Sequence, residues 1–283
     1  MGIEDNRPWV LIRGAGDLAT GVIVRLHRCG FRVVVTECEN PSAIRRCAAL
    51  CEAAWQGQVT VEGVTCRRIA DIAEAACVAQ AGEVPLLVDE RADCVSTLRP
   101  AAVVDAILAK RNLGTHREMA PITVGLGPGF TAGEDVDAVV ETMRGHHLGR
   151  VILQGAAIPN TGVPGVIAGC AAERVIHAPA AGEMTFVQDA AGQTVDIGVL
   201  VHKGQMIARV GDVPVFATID GVLRGLIREG YPVTEGLKIA DIDPRAEQSA
   251  FCDTVSDKAR AIGGGVVEAL LYLAGQKGLW LLG

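Results

Sequence analysis

Trp9-Val10-Leu11-Ile12-Arg13 runs directly into Gly14-Ala15-Gly16-Asp17-Leu18-Ala19, and that junction decides the fold. An apolar run followed by G-x-G-x-x-A predicts a buried strand, a tight turn and then a helix. The helix carries Leu18, Val22, Leu26 and Cys29 on one face, and Gly30 stands where a C-terminal cap belongs. A second strand, Phe31 to Thr36, ends at Glu37, about 20 residues beyond the glycines. In this order Gly14 permits the turn and Gly16 lets backbone amides approach a phosphate. The helix that Asp17 opens adds positive potential at its N-terminus. Glu37 is placed to accept hydrogen bonds from ribose hydroxyls. The expected fold class is therefore α/β, with a Rossmann-like parallel sheet.

The rest of the composition agrees with a large aliphatic core. Of 283 residues, 49% are hydrophobic, 21% charged and only 4% aromatic. That excludes a disordered chain and predicts one large or two medium domains. A net charge of −7 and so few aromatics argue against nucleic acid as a partner. Nine cysteines without a Cys-x-x-Cys pair, and no signal peptide ahead of Trp9, fit reduced thiols in the cytoplasm. Cys47 and Cys51, four apart on an expected helix, do not by themselves make a metal site. Ala261 to Gly283 is apolar, but Glu268, Lys277 and the run Gly263-Gly264-Gly265 make it a core helix rather than a membrane span.

Further along, Arg45 and Arg46 follow Pro41 on an expected helix, where they either form a solvated face, the favoured reading, or face an anion. Pro85 to Asp89 reads as a buried strand with the Asp89 carboxylate at its carboxyl edge, where open α/β sheets bind ligands. Pro100 to Arg111 is expected as a helix with Val103, Val104, Ile107 and Leu108 inside and Asp105 on the surface. Ile122-Thr123-Val124 is a strand entering Gly125-Leu126-Gly127-Pro128-Gly129-Phe130-Thr131-Ala132-Gly133, with a helix from about Asp135 to Arg144. Such a loop can present backbone amides to an oxyanion, and it has no Walker lysine. Arg144-Gly145-His146-His147-Leu148-Gly149-Arg150 forms a basic turn. A strand over Val151–Gln154 and a loop through Gly155, Asn160, Thr161, Gly162, Pro164 and Gly165 follow. Together these segments suggest a pocket for an anionic small molecule, in which Gly127, Gly129, Thr131, Arg144, His146, Arg150, Asn160 and Thr161 join Gly14, Gly16, Asp17, Glu37 and Asp89. No metal site is expected.

From His177 to Ile242 the runs become short and β-like, and an internal repeat appears. Val201-His202-Lys203-Gly204-Gln205-Met206-Ile207-Ala208 matches Val233-Thr234-Glu235-Gly236-Leu237-Lys238-Ile239-Ala240, and A-x-x-x-G precedes each copy at Ala178–Gly182 and Ala217–Gly221. This resembles the barrel-sandwich hybrid of biotinyl and lipoyl carrier domains. The modifiable lysine of those carriers is missing; Arg209-Val210-Gly211-Asp212-Val213-Pro214 stands there instead. The apolar stripe from Val255 to Leu273 is expected to pack back on the N-terminal portion. The domains expected are thus 1–175 with the C-terminal helix 246–283, and an inserted all-β module over 176–245.

Gly14-Ala15-Gly16-Asp17-Leu18-Ala19-Thr20-Gly21, Thr36-Glu37, Gly127-Pro128-Gly129-Phe130-Thr131-Ala132-Gly133, Arg144-Gly145-His146, Asn160-Thr161-Gly162-Val163-Pro164-Gly165 and Ile242-Asp243-Pro244-Arg245 together resemble the YqeB family. These are selenium-dependent molybdenum hydroxylase system proteins, related in their Rossmann part to the XdhC and CoxF maturation factors. The resemblance implies an accessory factor that binds the molybdenum cofactor, as molybdopterin or its dinucleotide, and assists its sulfur or selenium modification or its insertion. The partner would be a molybdenum hydroxylase apo-enzyme; self-association stays open, and no membrane partner is implied. Unlike XdhC relatives, this chain begins almost directly at its first strand, without a Cys-rich region. Cys38, beside Glu37, is the best-placed thiol for sulfur or selenium. Two other classes compete: an NAD(P)-dependent oxidoreductase, which has no Tyr-x-x-x-Lys pair and would need His146 or His177 as proton donor, and a ligand-free interaction scaffold.

Overall fold

A computed structural model describes residues 7–162 and 168–282. The chain is a mixed α/β protein that divides into two units. One comprises residues 1–41, 49–160 and 255–283, and the other residues 42–48 and 161–254.

The first unit begins with strand β1 (Trp9–Arg13), helix α1 (Asp17–Arg28) and strand β2 (Arg32–Glu37), the order its opening residues dictate. There follow α2 (Ala53–Gln56), β3 (Gln58–Val61), β4 (Val64–Ile69), α3 (Ala75–Gln80), β5 (Val84–Val88), α4 (Val95–Leu98) and β6 (Ala102–Asp105). Next come β7 (Ile122–Leu126), β8 (Thr131–Ala132), β9 (Ala138–Val140), β10 (Val151–Ile152) and β11 (Gly155–Ala156). Nine strands form one sheet in the order β10-β9-β7-β6-β1-β2-β5-β4-β3, parallel from β9 to β4 and antiparallel at both edges. From β1 the chain goes to β2 on one side and later returns to β6 on the other. The crevice above their carboxyl ends is thus a point where strand order reverses.

Two expected helices are strands, for one physical reason. Val103-Val104 and Val139-Val140 are β-branched pairs buried on both faces of the sheet, β6 between β1 and β7, and β9 beside β7. In place of the Pro100–Arg111 helix stands β6 with a loop in which Leu108 and Lys110 both take positive φ. In place of the Asp135–Arg144 helix stand a turn, closed by Asp135 on Thr131, and β9. The strand expected over Val151–Gln154 is confined to Val151–Ile152. On α1 the expected Val22 and Leu26 are buried, together with Ala19 and Ile23, while Leu18 is half-buried and Cys29 exposed. The fifth helix, α5 (Asp257–Lys277), runs along α1 and reaches β7 and β9. Its close approach needs missing side chains: a Cβ on Gly21 would meet Ala259 at 2.6 Å, and one on Gly263 would meet the Gly21 carbonyl oxygen at 2.7 Å. Among the described residues, no helix is long and apolar enough to cross a membrane.

The second unit holds two four-stranded antiparallel sheets. One is β12 (Val175–His177), β19 (Lys238–Asp243), β17 (Gly221–Leu226) and β14 (Leu200–Val201); the other is β16 (Val213–Phe216), β15 (Met206–Val210), β13 (Gly182–Phe186) and β18 (Pro232–Val233). They enclose an aliphatic core that includes Met184, Ile207, Leu223 and Ile239, and no barrel closes among the described strands. The repeat read in the sequence is present as paired turns. Gly204 N donates to the Ala217 carbonyl at 2.8 Å and Gly236 N to the Ala178 carbonyl at 2.9 Å, so each copy's glycine bonds to the alanine that precedes the other copy. Arg45 and Arg46 are not a solvated helix face. Arg45 is buried and donates to the Thr254 carbonyl, while Arg46 pairs with Asp196 and lies over the Phe186 ring.

Candidate functional site

A cavity of about 390 Å³ opens at the carboxyl ends of the central strands of the first unit. Arg13 and Gly14 come from the end of β1, Thr36, Glu37 and Cys38 from the end of β2, Glu90 and Arg91 from beyond β5, and Ile107 and Leu113 from the loop after β6. Its size is within the range of small-molecule sites.

The glycine turn makes its own ligand contact. Gly14 takes φ +93°, and a Cβ there would meet the backbone of Ala106 and Ile107 at 3.0 Å, so only glycine lets β1 turn beside β6. Glu37 accepts from Ala15 N at 2.7 Å through Oε2 and from Cys38 N at 2.8 Å through Oε1. Gly14 N donates to the Thr36 carbonyl at 2.7 Å, and the acidic group at the end of β2 sits on the next amide of the turn. Gly16 caps α1 without a side-chain bond and faces open space, and Asp17 stands in the first turn of α1.

Beside this turn lies a buried polar network that the sequence reading missed. Arg13 and Asp105 are each only 2% exposed. Their side chains are 3.6 Å apart, and the Thr115 hydroxyl joins them, accepting from Arg13 and donating to Asp105 Oδ2 at 2.5 Å. Asp105 Oδ1 accepts from Ile107 N at 3.1 Å, so one carboxylate holds both ends of the loop that roofs the cavity. Burial pushes the Asp105 carboxyl above its ordinary pKa, with Thr115, Ile107 and Arg13 pulling the other way. Its expected place on the surface of a helix is corrected: it ends a central strand and is buried. The available signal was a charge closing an apolar run, in Val10-Leu11-Ile12-Arg13 and again in Ala102-Val103-Val104-Asp105.

Cys38 lines the cavity, but burial, reinforced by Glu37, pushes its thiol up to about 12. It is therefore protonated at neutral pH and a poor nucleophile. Asp89 does not face the cavity. Its two oxygens accept from Asp93 N and Cys94 N and so fix the chain entering α4.

The remaining expected residues lie elsewhere. In the loop after β7, Gly127 packs against Thr142 and Gly129 against the Arg111 backbone, while Thr131 closes a turn with Asp135. These glycines serve close packing; the Gly127 amide donates to the Val140 carbonyl of β9, and the Thr131 and Gly133 amides donate to Asp135 and to the Val136 carbonyl in the turn that follows. Arg144 is on the surface, paired with Asp257 at 2.8 and 3.1 Å. His146 and Arg150 are exposed on the same turn, with the His146 and His147 rings edge to face at 5.2 Å. Asn160 is exposed at the end of the first unit, and Thr161 opens a segment of the second. Val163, Pro164 and Gly165 lie outside the described residues. Of the expected positions in the first unit, Gly14 and Glu37 line this cavity, and the others are placed as just described. Among the described residues, no group of three or more His, Cys, Asp or Glu side chains could hold a metal ion.

Comparison with known proteins adds a relative. Over 267 residues, 94% of this chain, the sequence is 51% identical to the "Uncharacterized protein YqeB" of Escherichia coli (strain K12), and the two are homologous. The chain spans about half the length of that relative, 48%. No family model matches. Structures of the ectoine utilization protein EutE (DoeB) from Ruegeria pomeroyi, product-bound and apo, align over 83% of this chain and 85% and 86% of theirs. Identities of 14% and 10% and TM-scores of 0.23 give these two alignments no weight.

Proposed function

We propose that this chain belongs to the YqeB family and is an accessory factor for molybdenum-containing hydroxylases of the xanthine dehydrogenase type. It would hold a pterin-bearing ligand in the cavity at the ends of β1, β2 and β6 before that ligand passes to the apo-enzyme. The same reading takes the first unit as Rossmann-like and the second as an inserted module of barrel-sandwich-hybrid type. The observation that carries it is the cavity itself: a carboxylate, Glu37, and a buried guanidinium, Arg13, meet at a reversal point of a parallel sheet. The client is taken from the sequence motifs that resemble the YqeB family, a reading that the homology to YqeB supports at the level of family alone.

The donor set decides which form of the cofactor suits the cavity. A pyrophosphate needs the glycine-turn amides, and Glu37 already accepts from Ala15 N. The dinucleotide form therefore fits poorly, and the same contact weighs against NAD(P). Molybdopterin itself, with a single phosphate monoester, asks for less. The aminopyrimidinone edge of a pterin presents adjacent N–H donors, and the Glu37 oxygens have lone pairs left to accept them. Arg91, exposed near the rim, can meet a phosphate. When bound, the molybdenum cofactor supplies the redox-active metal that the hydroxylase needs. With its thiol protonated, Cys38 does not support a persulfide or selenide carrier role, so binding and hand-over are favoured over sulfur or selenium chemistry on this chain.

The test is purification of the chain from cells that make molybdenum cofactor, followed by oxidation, pterin fluorescence and molybdenum analysis. Wild type should retain pterin, and Glu37→Gln, which has one acceptor oxygen instead of two, should retain less. A chain that carries neither pterin nor molybdenum above the level of an unrelated protein overturns the proposal.

A further inference from the structure

Arg13 ends β1 inside the cavity, and its guanidinium is not fully used. The group has five N–H donors. One terminal nitrogen donates to the Thr115 hydroxyl; the other donates to the Glu90 carbonyl at 3.1 Å and the Leu113 carbonyl at 3.5 Å. The Nε–H is buried and has no acceptor. Its countercharge, Asp105, is 3.6 Å away and spends its oxygens on Thr115 and Ile107. Arg13 is among the residues lining the cavity, and among the described residues its buried Nε–H has no acceptor, so a ligand atom that reaches the guanidinium would satisfy it.

We propose that Arg13 anchors an oxyanion of the ligand, a phosphate or a carboxylate, at the carboxyl end of β1. Glu37 on Ala15 N takes one amide of the glycine turn and adds a negative charge beside it, which favours placing the acidic group beside the guanidinium rather than at the start of α1. The free Nε–H points in a fixed direction from a planar, permanently charged group, and lysine cannot reproduce that donor. The inference rests on the cavity being a ligand site, and it adds the charge and position of the ligand's acidic group.

The experiment follows the arginine Nε–H resonances of the full chain by 15N–1H NMR during separate titrations with inorganic phosphate and with acetate. The Arg13 signal is assigned by its loss in Arg13→Lys. If that variant does not fold, Thr115→Ala serves, since it moves the same signal by removing one acceptor and leaves Arg13 in place. A saturable shift of this signal with phosphate supports a phosphate anchor, and a shift with acetate alone supports a carboxylate anchor. In either case Arg13→Lys, if folded, should weaken the midpoint about ten-fold or more. No shift with either anion overturns the assignment. A silent Arg13 in a chain that still retains pterin removes the anchor and leaves the accessory role standing. A responsive Arg13 in a chain without pterin does the reverse.

Discussion

The Glu37 carboxylate closes on the amide of Ala15 at 2.7 Å, so the glycine turn is held by the acidic residue that ends the neighbouring strand. Its other oxygen takes the amide of Cys38 at 2.8 Å. One side chain thus stitches β1, β2 and the entrance of α1 together. Glu37→Ala loses two charge-assisted bonds and should lower stability by about 1.5–3 kcal/mol, read from urea unfolding. The same variant should move the Cys38 thiol down from about 12, because Glu37 is one of the groups holding it up after burial. Iodoacetamide labelling of Cys38 near pH 9 should then be faster than in wild type. An equal labelling rate in the folded variant would show that Glu37 does not act on the thiol.

Asp105 gives a pH dependence of opposite sign to that of an ordinary paired carboxylate. Burial raises its pKa in the folded chain, so the native state binds this proton more tightly than the unfolded state. Its contribution to stability is full below the unfolded carboxylate pKa, about 3.9, and is lost as pH rises through the raised folded value. Asp105→Asn cannot titrate. The stability of wild type relative to Asp105→Asn should therefore improve as pH is lowered from 7 towards that window. Urea unfolding of both chains at several pH values measures it, and a constant difference would contradict burial as the dominant influence on Asp105.

Arg144 separates the expected cradle from the observed cavity. It is on the surface with Asp257, whose side chain is 74% exposed. Such pairs contribute about 0–1 kcal/mol. Arg144→Ala should therefore change stability by less than about 1 kcal/mol and leave pterin retention and the phosphate response of Arg13 unchanged. A variant that folds but no longer retains ligand would return this turn to the binding site.

What could be read in advance followed the range of the interactions. The β1–turn–α1–β2 start is coded locally, by an apolar run, Gly14, Gly16 and a helical stripe, and it stands where it was expected. The strands β6 and β9 were read as helices, because Ala102–Asp105 and Ala138–Val140 are buried on both faces and their apolar runs carry no period. That error hid Asp105, since a charge on a helix face is ordinary and a charge at the end of a central strand is not. Gly127 and Gly129 looked like amide donors because sequence does not distinguish a glycine that opens space from one that lets Thr142 or Arg111 come close.

The three successive glycines of α5 make that distinction measurable. Gly263 faces the Gly21 carbonyl, and a Cβ on Gly265 would fall inside the van der Waals shell of the Gly149 carbonyl oxygen; one on Gly264 would meet nothing within 4 Å. Alanine at an open helical position removes backbone freedom from the unfolded chain and improves helix propensity. Gly264→Ala should therefore stabilise by about 0.5–1 kcal/mol. Gly265→Ala gains the same propensity but must push apart α5 and the turn that carries Gly149, and backbone atoms cannot rotate away as a side-chain tip can. It should destabilise by about 1–3 kcal/mol or more. Thermal unfolding of the two single variants decides between packing and propensity: if both shift the midpoint in the same direction, α5 does not lie against the Gly149 turn as closely as the backbone geometry requires.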